Sequence, residues 1–263
     1  MRITVLGKSP AWQDAGGACS GYLVETDGAC VLLDCGCGVF GKLRSHRDYR
    51  EVDAVVVSHM HADHILDLVP YASALTYSPR QQPVPVAGHS GTESPARPRL
   101  IAPAGAAEAL SRICGGAGMR TEHVERAFAL SEYAPDDRFE LGPLQLRFRS
   151  VPHFLPTHAV ELREGDARFT FGADSAPSDE LCEFARGTAL LLIEATLPRP
   201  EREGPRGHLT PAEAGEHGRR AGAGRLVLTH LSDEVDAEWA RREAEKSFGG
   251  PVEVAREGAV YEL

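Results

Sequence analysis

The sequence predicts an α/β or α+β protein, on three observations. Short apolar runs rich in β-branched residues recur along the chain, segments with helical apolar spacing lie between them, and Gly- and Pro-rich turns separate the two. The 263 residues are 42% hydrophobic, which is enough to bury a substantial core. Because no composition break or long linker divides the chain, we predict one domain over residues 1–263.

The first half of the chain is predicted to alternate strands and helices. A helix should run from about Asp63 to Tyr77, because its apolar residues share one face. The Pro-rich segment Ser78–Arg99 is predicted as a surface loop around a short strand, Val84–Ala87; it would either cover a substrate or be a tolerated insertion. A second helix is expected over Ala104–Cys114. The strands are expected at Arg2–Leu6, Gly21–Glu25, Cys30–Asp34 and Asp53–Ser58.

The second half is richer in strands. A helix over Pro211–Ala221 is marked by Thr210 as N-cap and Glu213 as its capping-box partner, and another helix is expected over Asp236–Phe248. Strands are expected near Glu122–Leu130, Phe139–Leu141, Leu144–Val151, Ala159–Leu162, Arg168–Gly172, Ala189–Glu194, Leu226–Thr229, Val252–Ala255 and Ala259–Leu263. The mixture favours two stacked sheets with helices outside.

Charge and composition limit the partners. The net charge of −10 disfavours a large nucleic acid, whose binding rests on neutralising phosphates, but it leaves room for a small phosphate ester. No apolar run approaches the roughly 20 residues of a membrane helix. Met1–Gly7 resembles a first strand rather than a signal peptide, so a cytoplasmic location is expected, with the six cysteines as reduced thiols.

One stretch, His59-Met60-His61-Ala62-Asp63-His64, concentrates potential metal ligands directly after the apolar run Ala54–Val57. Imidazole and carboxylate groups suit zinc and similar divalent ions, and four such groups at one strand end could hold two ions. The alternative is a solvated His-rich turn, which does not explain this density. The sequence therefore predicts a metal site here.

These six residues resemble the HxHxDH motif of the metallo-β-lactamase superfamily. The resemblance implies an αββα sandwich with two divalent ions, zinc by default, although manganese or iron would fit the same ligands. It implies that Asp34 orients nearby loops. His158 lies near His153 in the sequence, but His153 is preferred as the ligand, and His158 is expected to line the pocket. Gly172-Ala173-Asp174-Ser175 departs from the Gly-Asp-Thr often found at the bridging position. The resemblance assigns His59, His61 and His153 to one ion, Asp63, His64 and His230 to the other, and Asp174 to both.

A second resemblance lies in Gly207–Gly215, which is similar to the His-x-Thr-x-x-x-Ala motif of ribonuclease Z and its short relatives, including cyclic-nucleotide phosphodiesterases. It implies that His208 is a general acid of near-neutral pKa, against the alternatives of helix capping or simple exposure. Together the motifs imply a dinuclear phosphodiesterase acting on a small or cyclic phosphodiester through a metal-bound hydroxide, which Asp63 would orient or deprotonate.

Three other functions stay open. The same hydroxide could hydrolyse an ester, lactone, thioester or β-lactam. A metal-binding scaffold or a redox partner is disfavoured by the complete ligand set and the lack of a flavin domain after the core. Transfer-RNA 3′ processing is disfavoured because only Phe154–Ala173 lie between the third His and the bridging Asp, too few for an arm that grips tRNA. We therefore expect a small-molecule substrate and neither membrane nor large nucleic acid as partner; homodimers are common in relatives, so a homodimer is open.

Overall fold

The strand-forming runs build two sheets in the computed structural model, which describes residues 1–85, 88–201 and 203–263. The strands of this part of the chain, β1 to β14, are Arg2–Gly7, Gly21–Glu25, Cys30–Leu33, Ala54–Val56, Arg99–Pro103, Ala129–Tyr133, Arg138–Leu141, Leu144–Val151, Thr157–Glu164, Ala167–Phe171, Leu190–Glu194, Arg225–Thr229, Val252–Val254 and Val260–Glu262. The helices, α1 to α8, are Val39–His46, Ala62–Ile65, Leu68–Tyr77, Ala106–Gly116, His123–Ala127, Asp179–Phe184, Pro211–Ala221 and Ala237–Phe248. Short 3₁₀ turns lie at Tyr49–Glu51 and Pro79–Gln81.

The two sheets have seven strands each. The first has the order β14-β1-β2-β3-β4-β5-β6, and the second has the order β13-β12-β11-β10-β9-β8-β7. Strands β3 to β6 are parallel, as are β10 to β13, whereas the remaining pairs are antiparallel. The parallel strands therefore end at one edge of each sheet, and the segments after β4, β8, β10 and β12 meet there.

Apolar residues on both faces of each sheet explain the layering. Side chains such as Ile3 and Tyr22 of the first sheet pack against Phe148 and Phe169 of the second, forming the core between the sheets. The outer face of the first sheet is covered by α1 and α3 to α5, and that of the second by α6 to α8. The αββα arrangement expected from the resemblance is confirmed.

The helix predicted from Asp63 to Tyr77 is wrong as one element, because it is divided into α2 and α3. The carbonyl of His64 accepts a hydrogen bond from the backbone N–H of Cys35 at 2.8 Å instead of continuing the helix. Pro70 lacks the N–H that a continuous helix would need there, and a new start at Leu68 places it in the first turn, where proline is tolerated.

The strand predicted over Glu122–Leu130 is also wrong in its first part. Residues His123–Ala127 form α5, and a strand begins only at Ala129. Val124 and Phe128 are four residues apart, so a helix buries both in the outer core beside α3. The predicted strand Val84–Ala87 includes residues 86 and 87, which lie outside the described residues.

Three elements were not predicted: α1, β5 and α6. Gly41 interrupts the apolar pattern of α1, and Pro98 and Pro103 frame β5 inside a Pro-rich region. Helix α6 has six residues, too few for a helical period to show. All six cysteines have free thiols. Across the described ranges, no helix is long and apolar enough to cross a membrane.

Candidate dinuclear metal centre

Two groups of potential metal ligands lie side by side where the two sheets meet at their carboxyl edges. The segment after β4 supplies four of the side chains, and the segments after β8, β10 and β12 supply one each. Within each group the ligand atoms lie within 4.8 Å of one another. The structure thus brings together all seven side chains that the resemblance assigned. The groups are His59, His61, His153 and Asp174, and Asp63, His64, Asp174 and His230.

Asp174 belongs to both groups through one oxygen atom. Its Oδ2 lies 3.8 Å from Nε2 of His59 and 4.0 Å from Nε2 of His153. The same oxygen lies 3.5 Å from Nε2 of His64 and 3.4 Å from Nε2 of His230. Ligand atoms around one zinc ion at about 2.0–2.2 Å are themselves about 3–4 Å apart, so these separations suit a shared carboxylate between two ions.

The other spacings within the groups are similar. Nδ1 of His61 lies 3.1 Å from Nε2 of His59 and 3.1 Å from Nε2 of His153. In the second group, Oδ2 of Asp63 lies 3.4 Å from Nε2 of His64 and 3.1 Å from Nε2 of His230. His61 therefore presents its Nδ1 atom, whereas the other four imidazoles present Nε2.

The four imidazoles that present Nε2 are oriented by partners at Nδ1. A hydrogen bond at one ring nitrogen fixes the tautomer and the ring plane, and leaves the other nitrogen free to bind a metal. The Nδ1 contacts are His59 with Ser58 Oγ at 3.0 Å, His64 with Asp34 Oδ2 at 2.7 Å, His153 with the Gly207 carbonyl at 2.7 Å, and His230 with Thr196 Oγ1 at 2.8 Å.

Asp34 occupies the supporting position that the resemblance implied. It is buried at the end of β3, and Ser58 donates to it from its backbone N–H at 2.7 Å and from its hydroxyl at 2.8 Å. Together with the contact to His64, these bonds tie the end of β3 to the segment after β4. Asp34 therefore orients the ligand segment without reaching the ligand groups itself.

The residues present fit metal ions. Nε2 of His64 is buried without a hydrogen-bond partner in the described part of the chain, and it points at the carboxylates of Asp63 and Asp174. A buried polar atom without a partner costs free energy, and a metal bond would satisfy it. The mixed nitrogen and oxygen donor set is one that zinc accepts.

Buried groups of opposite charge control the electrostatics of the centre. Burial disfavours the charged form of His64, but the carboxylates of Asp174 and Asp34 outweigh it and raise the pKa of His64 well above its usual value. Burial likewise opposes the charge of Asp174, but the imidazoles of His230 and His64 hold its pKa well below the usual range. A divalent ion would replace protons as the positive partner of these carboxylates.

His208 lies beside both ligand groups, and Glu194 holds it there. Its Nδ1 lies 2.9 Å from Oε1 of Glu194, and its ring stacks on that of His230 with centroids 5.6 Å apart. Burial disfavours the imidazolium, but the hydrogen bond and charge of Glu194 outweigh it and raise the pKa of His208 to about 9. This value is higher than the near-neutral one expected, because the sequence did not reveal Glu194.

Glu194 is a site residue that the sequence analysis missed. It is fully buried at the end of β11 and accepts hydrogen bonds from Ser175 N–H at 2.9 Å and from the Thr196 hydroxyl at 2.6 Å. Ser175 follows Asp174, and Thr196 contacts His230, so Glu194 connects two ligand segments with His208. The available signal was a carboxylate that ends the apolar strand Leu190–Ile193, the same placement that marked the other site residues.

Besides Asp34, two residues of the ligand segments have left-handed backbones that favour glycine. Ala173 has φ of +54° and His230 has φ of +55°. Ala173 stands where the related motif often has glycine, and its conformation turns Asp174 toward the ligand groups. Non-glycine residues in this region carry strain, which the surrounding structure must hold.

His158 and His217 lie outside the ligand groups. His158 is buried, with Nδ1 3.4 Å from the hydroxyl of Tyr133, and its backbone N–H donates to the Ser58 carbonyl at 3.2 Å. His158 therefore stabilises the segment after β4 through its backbone N–H, without joining a ligand group. His217 is buried in α7, where its Nε2 accepts a hydrogen bond from the backbone N–H of Ser178 at 2.9 Å, which is a structural role.

Comparisons with known proteins agree with this geometry. A family profile described as Beta-lactamase superfamily domain matches residues 30–231. The probable metallo-hydrolase YhfI of Bacillus subtilis (strain 168) is 29% identical over 266 residues, which cover 100% of both proteins. A ribonuclease Z of Natronomonas pharaonis is 27% identical over 301 residues, covering 100% of this chain and 98% of that protein. The crystal structure of YhfI superposes with a TM-score of 0.83 at 27% identity and covers 99% of each chain.

Proposed function

The chain belongs to the metallo-β-lactamase superfamily and is a metal-dependent hydrolase, and from that premise we propose that it is a dinuclear phosphodiesterase of a small or cyclic phosphodiester. The observation that carries the proposal is the pairing of His208 with Glu194 at 2.9 Å beside the ligand groups. An alkoxide that leaves phosphorus needs a proton, and His208 held by Glu194 would supply it. A relative named ribonuclease Z is consistent with phosphodiester chemistry.

Each ligand group would hold one ion. His59, His61 and His153 would hold the first, Asp63, His64 and His230 the second, and Asp174 both. When bound, the ions would neutralise phosphate oxygens and supply hydroxide at neutral pH. Zinc is the metal we propose, since histidine nitrogens dominate the set.

The side chains of the protein divide the remaining work. Nδ1 of His208 is engaged by Glu194, so Nε2 is the nitrogen that would deliver a proton to the leaving oxygen. Asp63 would accept or orient a proton of the attacking solvent. The ligand histidines, held at their second nitrogens, keep these groups in place as charge develops on the phosphate.

The chain between the third histidine and Asp174 supports a small substrate. Between Thr157 and Phe171 it forms the β9–β10 hairpin, whose strands are separated by residues 165 and 166. No extended arm emerges from this described segment. Together with the net charge of −10, this favours a small phosphodiester over transfer RNA.

Turnover of two phosphodiesters tests the proposal. Bis-p-nitrophenyl phosphate releases a stable phenolate, whereas a cyclic nucleotide releases an alkoxide. We expect the zinc-loaded protein to cleave both, and His208→Ala to lower kcat for the cyclic nucleotide by about 10²-fold or more and for the phenyl ester much less.

Controls separate catalysis from metal loss. Metal content of His208→Ala should match that of the unmodified protein by mass spectrometry, and His46→Ala, at an exposed histidine at the end of α1, should keep full activity. If the protein cleaves thioesters or nitrocefin but neither phosphodiester, the proposal is wrong.

A further inference from the structure

Phe154 exposes an aromatic ring at the ligand groups. The residue directly follows His153 and is 51% exposed, one of few large apolar side chains in the described structure that face solvent. Its ring centroid lies 4.9 Å from that of His153 and 5.9 Å from that of His208. The centroids of His153 and His208 are themselves 5.0 Å apart, so the Phe154 ring lies beside both a proposed ligand and the side chain that we propose as the acid.

The backbone of Gly207 packs against this ring. A Cβ atom at position 207 would overlap the Phe154 ring, so only glycine lets the ring lie against the backbone there. The carbonyl of Gly207 also accepts the hydrogen bond from Nδ1 of His153. One edge of Phe154 is thus fixed by the same backbone that orients a ligand, while about half of the side chain stays open to solvent.

An exposed aromatic ring held in place is suited to stacking. Phenylalanine has no polar group, so it cannot bind substrate by hydrogen bonds, but its face attracts planar π systems in offset or tilted contacts. Because the ring is already oriented by His153, His208 and Gly207, little conformational entropy would be lost on stacking. Single exposed aromatics are common on surfaces; this one is distinguished by its contacts with two site histidines and with Gly207.

From these contacts we propose that Phe154 is a specificity-determining residue that stacks on a planar aromatic group of the substrate, as a nucleobase supplies. The proposal rests on the proposed function, because it assigns the aromatic group to the phosphodiester that the same site cleaves. Because Phe154 contacts both His153 and His208, the stacked group would lie next to the proposed metal and acid positions. The proposed substrate class thereby narrows to phosphodiesters that carry a planar ring system.

Binding of two phosphate monoesters tests the proposal without turnover. Adenosine 5′-monophosphate and ribose 5-phosphate differ by the base alone, and isothermal titration calorimetry on the zinc-loaded protein measures the Kd of each. We expect tighter binding of the nucleotide, and we expect Phe154→Leu to weaken it roughly tenfold while leaving ribose 5-phosphate unchanged. Phe154→Trp should bind the nucleotide at least as well as the unmodified protein does.

The matched control is Tyr77→Leu. Tyr77 is 64% exposed at the end of α3, and its ring stacks on His123 rather than on a site residue. This variant should bind both ligands normally. Metal content, measured for every variant, shows whether Phe154→Leu acts on the substrate rather than on the ligand His153.

Three results would overturn the role of Phe154: equal affinity of the unmodified protein for both ligands, equal loss of both in Phe154→Leu, or loss of metal in that variant. These results differ from failure of the proposed function. If the base strengthens binding through Phe154 but no phosphodiester is cleaved, the proposed phosphodiesterase activity is wrong and the stacking role of Phe154 stands. If phosphodiesters are cleaved but both ligands bind equally, the activity stands and the stacking role is wrong.

Discussion

At the scale of single residues, the site contains residues with a left-handed backbone conformation, which is unfavourable for residues that carry a side chain. Asp34, Ala173 and His230 all have positive φ, and in the described chain the fourth non-glycine residue of this kind is Asp136, in a turn. Strain of this kind costs about 1–3 kcal/mol per residue and survives only where neighbours enforce it. The contacts of these residues with the ligand segments supply that enforcement.

Ala173→Gly tests the strain. The substitution removes a buried methyl group, which costs stability, but it also relieves a left-handed alanine, so the two effects oppose each other. We expect Ala173→Gly to be less destabilising than Ala195→Gly by about 1–2 kcal/mol in urea unfolding. Ala195 is the matched control, since it is equally buried and has a negative φ. Equal losses in the two variants would show that Ala173 is not strained.

Glu194→Gln tests the orientation of His208. Loss of the carboxylate charge should leave His208 less firmly held and less readily protonated, so kcat for an alkoxide-releasing phosphodiester should fall about 10-fold or more. Glu194→Gln combined with His208→Ala should be no worse than His208→Ala alone, because the two side chains act as one unit. Additive losses would contradict this.

The control for Glu194 is Glu161→Gln. Glu161 is also buried, but its carboxylate accepts hydrogen bonds from Arg147 and Arg168 on the second sheet, away from the ligand groups. That variant should lose stability and keep kcat.

At the scale of elements, charged side chains fasten the short turns that the apolar pattern does not specify. Asp48 accepts hydrogen bonds from the side chain of Arg50 at 2.6 Å and from Arg80 at 2.8 Å, so it joins the two 3₁₀ turns. The hydrogen bonds from Arg50, which outweigh burial, lower the pKa of Asp48 to about 2. The helices are larger and gain their stability from buried apolar faces instead.

Asp48→Asn makes this link measurable. Because the folded pKa lies below the unfolded value of about 4, the charge stabilises the fold above pH 4, and this contribution disappears as the pH falls through 2. We expect Asp48→Asn to be less stable by about 1 kcal/mol at pH 7 and equal to the unmodified protein near pH 2. The measurement is urea unfolding across that range, and a difference that persists at low pH would contradict the ionic origin.

At the scale of the whole molecule, the candidate metal centre joins the two sheets. Its motif residues follow a strand of the first sheet, whereas His153, Asp174 and His230 follow strands of the second. Bound ions would therefore connect the two halves, and their removal would leave protonated imidazoles as the positive partners of the buried carboxylates.

Chelation should lower the melting temperature. Ions that bind only the folded protein stabilise it by about 2.7 kcal/mol at a hundred times their Kd, and that stabilisation is lost with the ions. Calorimetry before and after chelation measures the shift. Asp174→Asn, which lacks the shared carboxylate, should show a much smaller shift. A zinc-loaded protein whose melting temperature does not respond to chelation would contradict a structural link between the sheets.

Local patterns in the sequence were sufficient to predict most of the strands and helices and the seven candidate metal ligands. The density of ligands in His59–His64, the apolar strands before His153, Asp174 and His230, and the capping box at Thr210 all depend on residues close in the chain. Side-chain periodicity and capping are short-range effects, so they can be recognised without a fold. The resemblance of these motifs then supplied the αββα arrangement.

Only the tertiary structure decided the rest, because it depends on contacts between distant residues. Glu194 gains its role from His208, Ser175 and Thr196, and Phe154 gains its place from Gly207, 53 residues away along the chain. Residues 122–130 were predicted as a strand, yet their first part forms α5, because its Glu, Arg and Ala residues favour a helix and α3 offers an apolar surface to cover. Contacts with such distant partners decide which local preference is realised, and a sequence read alone does not contain those partners.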